Sequence, residues 1–243
     1  MKHVLLALSF LWIYAAQSQD TLDTEKKRFQ ADAHWAGFEF GTLILTTQDY
    51  NRDFGPHDYW RNEIESSSTF NINFFEYKLP IIKQYLGLTT GLGYTYNSIG
   101  LRGNYRIQHN ADTVFAAQNL FQAYRTNTLD VHYISVPLLL EFATNYRQKK
   151  SFYFNAGVIA SVRVASNTVQ TGKYANGDRF NLDVRSRFNL LPYSLEATVR
   201  TGFSHFGLFA SYNLTSLFKE NKTIGVFPFR AGLSVNISLI DFD

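Results

Sequence analysis

From residue 35 onward the chain alternates. Apolar side chains take turns with polar or very small ones over eight separate stretches, and a period of two places neighbours on opposite faces of a β-strand. In residues 35–46, Ala36, Phe38, Phe40, Thr42 and Ile44 oppose Gly37, Glu39 and Gly41. Residues 69–78 set Phe70, Ile72 and Phe74 against Asn71 and Asn73, and residues 85–97 set Leu86, Leu88, Leu92, Tyr94 and Tyr96 against Gly87, Thr89, Gly91 and Gly93. Residues 132–142 ("HYISVPLLLEF") place Ile134, Val136, Leu138, Leu140 and Phe142 opposite Ser135, Pro137 and Glu141. The pattern recurs in residues 151–166, 191–202, 206–214 and 227–239, whose polar series hold Arg163, then Glu196 and Arg200, then Ser211 and Asn213, then Arg230 and Ser234.

The connections alternate in length as well. Short ones follow the second, fourth and sixth stretches, at residues 79–83, 144–150 and 202–205, and long polar ones follow the first, third, fifth and seventh. Short turns at one end and long loops at the other are the build of an outer-membrane barrel, with turns in the periplasm and loops outside. The pattern therefore predicts an all-β fold, an eight-stranded antiparallel up-and-down transmembrane β-barrel.

Which face points outward decides between this and a soluble barrel of the same period. A water-facing exterior holds charged side chains on about a quarter to a third of its positions. The polar series here is mostly Gly, Ser, Thr and Asn, which suits a narrow interior, and the apolar series then faces lipid. The charges that do fall inside are balanced: Glu39, Glu141 and Glu196 against Arg163, Arg200 and Arg230. Enclosed singly each would be costly, so the expectation is a lumenal network in which they pair and plug the barrel. The alternative is a narrow channel in which the same six residues set selectivity. Gly87, Gly91 and Gly93 would leave lumenal room for bulkier neighbours, and Tyr94, Tyr96, Tyr133, Tyr193 and Tyr212, with Trp35, suit aromatic belts at the lipid headgroups.

Composition removes several classes. Among 243 residues there are 22 Phe and 15 Tyr, no Cys, and a formal charge of only +3. The basic residues cluster only at residues 25–28 and 147–150, which leaves no face for nucleic acid. Without cysteine there is no disulfide, zinc-thiolate or N-terminal lipid anchor. Residues 1–18 read as a signal peptide: Lys2, an apolar run over residues 4–16, and small Ala16 and Ser18 before a cut at Gln19. Residues 19–33 form a periplasmic lead and residues 34–243 the barrel. The expected location is the cell outer membrane.

The segments "HWAGFEFG", "GLTTGLGYTYN", "YISVPLLLEF", "FNAGVIASVR" and "LEATVRTG", with "GLFASYNLTSLF" and "FPFRAGLSV", resemble the outer-membrane β-barrel domain proteins of Bacteroidetes-type bacteria, the porin-family or PorT-like proteins. The resemblance implies an outer-membrane location, a structural, adhesive or envelope-assembly role through the outer loops, and the possibility of a secretion accessory. Barrels of this kind usually end in an aromatic residue, whereas Phe242 is penultimate here and out of phase with Leu239.

Motifs for chemistry are sparse. The glycines of residues 87–93 precede no GxxxxGK[ST], and the inward serines sit in no G-x-S-x-G. The six histidines show no metal-ligand spacing. Rim pairs such as His109 with Asp112, or His57 with Asp53 and Asp58, are the candidates for a lipid-acting enzyme. "DTL" at residues 20–22 and "DTV" at 112–114 match a short O-glycosylation pattern. The expectation is a monomer without enzymatic activity, cofactor or metal, whose partners are outer-membrane lipid and, during biogenesis, the barrel-insertion machinery.

Overall fold

The computed structural model describes residues 33–83, 85–119, 122–144, 151–174 and 176–237. The signal peptide, nearly all of the lead with its "DTL", the basic run at 147–150 and Phe242 lie outside them.

Among the described residues eleven strands form: β1 Gly37–Thr46, β2 Glu63–Ile82, β3 Leu86–Gly100, β4 Tyr105–His109, β5 Val114–Gln118, β6 Gln122–Ala143, β7 Phe152–Tyr174, β8 Arg179–Arg185, β9 Tyr193–Phe203, β10 Phe206–Asn213 and β11 Phe227–Asn236. Eight of them close a ring in the order β1, β2, β3, β6, β7, β9, β10, β11, every pair antiparallel. The ring shuts where β1 meets β11, Gly37 opposite Asn236 through Thr46 opposite Phe227. Closure leaves the barrel wall no open edge, as a sheet in lipid requires.

All eight alternating stretches are strands, but three run much further than the pattern predicts. β2, β6 and β7 have 20, 22 and 23 residues, whereas a tilted crossing needs about 9–11. Apart from residues 79–82 of β2, the surplus stands beyond the loop end of the barrel. There the upper halves of β6 and β7 continue as a blade that β8 joins, with Asn167 opposite Arg185 through Lys173 opposite Arg179. A separate hairpin, β4–β5, and a 3₁₀ turn, Gly55–Trp60, occupy the other long connections. These replace the plain loops expected there. At the turn end, residues 79–82 belong to β2 instead of a connection, and the chain reverses at Lys83, whose φ is 51°.

The outward series makes an apolar band. Phe40, Phe74, Tyr77, Leu79, Val136, Leu138, Leu140, Val162, Val199, Leu208 and Leu233 are all exposed, and none of the outward residues between them is Lys, Arg, Asp or Glu. At the upper edge of the band, Tyr94 Oη lies 2.5 Å from His132 Nδ1, and Tyr212 packs on Tyr50 with ring centroids 5.0 Å apart. Two residues expected in this belt are inside instead. Trp35 precedes the first strand and turns into the barrel, and Tyr133 lies on the inward parity of β6, opposite Thr95; both are buried.

Inside, polarity changes with height. Toward the turn end most inward residues are polar, with Trp35, Leu139 and Ile159 an apolar cluster among them. Toward the loop end Leu43, Leu45, Ile99, Leu129 and Val131 point inward and are buried. They join Trp60, Ile107, Val114, Phe188, Leu190, Phe218 and Val226 from the connections in one apolar core. Full burial of each large apolar side chain contributes about 1.5–3 kcal/mol, enough to fold the connections onto one another. Their backbones are bonded together: Val114 N to Lys222 O at 2.8 Å, Leu217 N to Val226 O at 2.7 Å and Leu191 N to Leu217 O at 2.9 Å. Trp60 Nε1 donates to Thr223 Oγ1 at 2.9 Å, which anchors the 3₁₀ turn.

Candidate functional site

Three charged layers fill the lumen below the apolar core. Nearest the turn end, Glu141 on β6 is fully buried and saturated: Lys78 Nζ lies 2.7 Å from Oε1, His34 Nδ1 2.9 Å from the same oxygen, and Thr89 Oγ1 donates to Oε2 at 2.9 Å. The His34 backbone N–H adds a bond of 3.2 Å to Oε2. His34 stacks on Tyr153 with ring centroids 4.3 Å apart, and Tyr153 Oη accepts from Asn236 Nδ2 at 2.9 Å. The amide N–H groups of Trp35 and Ala36 both donate to Glu76 Oε2, at 2.9 and 2.7 Å. Residues 33–36 are thus drawn into the barrel by carboxylates that satisfy their backbone.

Above that layer the Trp35 indole lies across the lumen beside Leu139 and Ile159. A Cβ at Gly91 would stand 2.7 Å from Trp35 Cδ1, and one at Gly93 2.6 Å from Asn73 Oδ1 and 3.3 Å from the indole. A Cβ at Gly87 would meet the Lys78 stem at 2.8 Å. The bare face of β3 is therefore the mould of three side chains, Asn73 and Lys78 from β2 and Trp35 from the segment before β1. The Arg200 guanidinium lies over the indole, Cζ 4.4 Å from the ring centre, in a desolvated cation–π contact.

Arg200 begins a chain of bonds that climbs the lumen. Its Nε donates to Glu39 Oε1 at 2.8 Å and its Nη2 to Oε2 at 3.1 Å, a bidentate pair. Asn71 Nδ2 donates to Glu39 Oε2 at 2.6 Å, while Asn71 Oδ1 accepts from Arg230 Nη1 at 3.4 Å. Arg230 also pairs with Glu196. Asn71 thereby links the two arginine–glutamate pairs.

Of the six charges proposed from the sequence, the structure brings Glu39, Arg200, Glu196 and Arg230 into this chain. Glu141 sits in the lower layer with Lys78 and His34 as partners and no arginine. Arg163 is the correction. It pairs with Tyr133 on β6, four residues along β7 beyond Ile159, the partner of Glu196, and so stands above the charged layers. Its guanidinium donates to Ser166 Oγ at 2.9 Å and reaches the Leu191 carbonyl at 3.3 Å, and it pairs with no carboxylate among the described residues. Lys78, His34, Glu76 and Asn71 are the members that sequence reasoning missed. The parity of Lys78 with Asn71 and Asn73 across the bulge between Asn73 and Phe75 was the concealed signal for one of them.

The family model for the outer membrane protein beta-barrel domain matches residues 16–221. The chain belongs to that family. Among solved structures, this outer-membrane barrel is similar to Ail, the attachment invasion locus protein of Yersinia pestis, crystallised with the heparin analogue sucrose octasulfate: 13% identity, 82% of this chain, 94% of that one, TM-score 0.31. Outer membrane phospholipase A from Escherichia coli is a second, with 12% identity, 87% and 99% coverage and a TM-score of 0.24. No curated protein gives a significant match.

The rim histidines of this outer-membrane barrel do not meet the acids proposed for them. His57 Nδ1 lies 2.7 Å from Tyr59 Oη, while Asp58 pairs with Arg102 and Asp53 Oδ1 accepts the Gly55 amide at 3.0 Å. His109 Nε2 lies 2.9 Å from Ser186 Oγ on the exposed rim, and the Asp112 amide is held by Asn110 Oδ1 at 2.8 Å. Among the described residues no three His, Asp or Glu stand close enough to hold a metal ion.

Two substitutions test the lumen as built. Gly91→Leu drives a side chain into the indole and the neighbouring carbonyl, so its yield of folded barrel in a membrane-assembly assay falls well below that of Leu92→Val; equal tolerance contradicts the mould. Arg200→Met strands buried Glu39 and is expected to cost about 3–5 kcal/mol in denaturant unfolding from vesicles. The double variant Glu39→Gln with Arg200→Met recovers part of that loss.

Proposed function

We propose that the protein is a closed, monomeric outer-membrane barrel that works through its folded outer connections, in a structural, adhesive or envelope-assembly role, and not by conducting solutes. The observation that carries this is the continuous filling of the lumen. Residues 33–36 and the Glu141 layer stand at the turn end, Trp35 and the Arg200–Glu39–Asn71–Arg230–Glu196 chain in the middle, and an apolar core at the loop end. A channel in which Glu and Arg set selectivity needs those charges to face an aqueous path. Here they face one another, and the apolar core stands above them.

In this reading the short turns lie in the periplasm and the blade, the β4–β5 hairpin and the 3₁₀ turn lie outside the cell. The connections are ordered by their own core, which is what a presenting surface needs and what a solute pore does not. The segments "YISVPLLLEF" and "GLFASYNLTSLF" support a place among the porin-family or PorT-like barrels of Bacteroidetes-type bacteria, and a role as a secretion accessory belongs to the same reading. Outer-membrane lipid and the insertion machinery are its partners in biogenesis, and residues 1–18 are its export signal.

Planar-bilayer recording tests the closed lumen. The intact barrel is expected to give no steady current, and Arg230→Ala to leave the bilayer as silent, because the apolar core above is untouched. A steady ohmic current whose ion selectivity changes in Arg230→Ala or Glu196→Ala contradicts the reading and favours the channel.

A further inference from the structure

The blade made by β6, β7 and β8 carries a groove lined by Arg125, Thr171, Lys173, Arg179 and Asn181, together with Tyr124, Gly172 and Phe180 of the opposite parity. Cross-strand pairing puts Lys173 opposite Arg179 and Thr171 opposite Asn181, so these four side chains share one face. Thr171 is also opposite Thr126 on β6. From Phe142 to Thr126 the even-numbered residues of β6 keep one parity, so this face of the blade is the face on which Val136, Leu138 and Leu140 meet lipid. The Arg125 side chain enters from the irregularity between Tyr124 and Thr126.

The blade thus continues the lipid-facing wall upward, and its chemistry changes from apolar to cationic. Arg125, Lys173 and Arg179 are all exposed, and none of them makes an ion pair among the described residues. The acids nearby are engaged elsewhere: Asp183, on the same face of β8, accepts from Asn167 Nδ2 at 2.9 Å, and Asp178 from Asn176 Nδ2 at 2.7 Å. Seven positions separate Arg125 from His132 at the upper edge of the band. At about 3.3 Å per residue and a tilt of about 40°, the groove stands about 18 Å above the hydrocarbon boundary. That is the depth of head-group sugars, not of acyl chains.

We infer that this groove binds the anionic saccharide of an outer-leaflet glycolipid, with Arg125, Lys173 and Arg179 on its phosphate or carboxylate groups and Thr171 and Asn181 on its hydroxyls. Guanidinium groups match such oxyanions in a fork geometry. The flush position beside the lipid wall selects a sugar anchored in the same membrane over one arriving from solution. The inference rests on the outward orientation of the loop end proposed above.

The test is glycolipid retention by the full chain, extracted in mild detergent. Bound lipopolysaccharide is measured by phosphate and sugar content after purification. Arg125→Gln/Lys173→Gln/Arg179→Gln is expected to retain at least tenfold less than the parent, and the parent to lose it as salt is raised. The heat-dependent gel shift should be unchanged, since none of the three side chains is packed. Arg61→Gln/Arg187→Gln/Lys219→Gln makes the same charge change elsewhere and is expected to retain the parental amount. Equal retention by the groove variant, or equal loss in the control, overturns the proposal. So does binding of the deacylated oligosaccharide as tightly as the whole glycolipid. Labelling an Asp178→Cys variant on intact cells with an impermeant thiol reagent separates the two readings. No labelling contradicts the orientation and the proposal with it, whereas labelling without differential retention contradicts the glycan site alone.

Discussion

Eight strands closed on themselves leave an interior only about as wide as the side chains that fill it. Every inward residue must therefore find a partner across that space, and the rest of the molecule follows from how the partners are matched. Small residues on β3 face the Trp35 indole; the bidentate pair of Arg200 with Glu39 faces the ion pair of Arg230 with Glu196, with Asn71 between them. Buried charges of this kind are poor sources of net stability, because desolvation offsets their attraction. Their value is positional: only one register of the strands brings all of them together.

Two different solutions meet inside this one tube. The turn half is solved with charges and with the entering segment of residues 33–36, whose amides are accepted by Glu76. The loop half is solved as in a soluble protein, with Leu43, Leu45, Trp60, Phe188 and Phe218 in an apolar core. The long connections are consequently not free loops. They are folded by burial over the mouth of the barrel, and the blade beside them continues the wall beyond it.

The strands were legible in the sequence because a lipid-facing wall demands apolar residues at every second position, and Leu138, Leu208 and Leu233 supply them without exception for charge. The four charges of the upper pairs were legible for the same reason, since they interrupt an otherwise small and neutral inward series. The entering segment was not. His34 and Trp35 sit just ahead of the first strand, where period two has no meaning, and only the three-dimensional mould at Gly91 and Gly93 shows where the indole goes. Lys78 was hidden by a bulge, which shifts parity without leaving a mark in composition. Arg163 shares the inward parity of Ser161 but lies beyond Ile159, the residue opposite Glu196; period two gives the face of a strand, not the height at which strands meet. The apolar core was hidden because it joins strand residues such as Leu43 and Leu129 to residues of several separate connections, such as Trp60, Phe188 and Phe218, which no local period links.

The account depends on a lumen that is filled along its whole length, and the absence of cysteine makes this directly measurable. A Ser135→Cys variant places one thiol on the inward face at mid-height, where the native residue is buried and bonded to Ser161 at 2.9 Å. Its reaction with a small hydrophilic thiol reagent, applied from both sides of vesicles holding the folded barrel, is the decisive rate. The account predicts labelling at least a hundredfold slower than in the denatured chain. Labelling at a rate close to that of an exposed cysteine on the blade would contradict it.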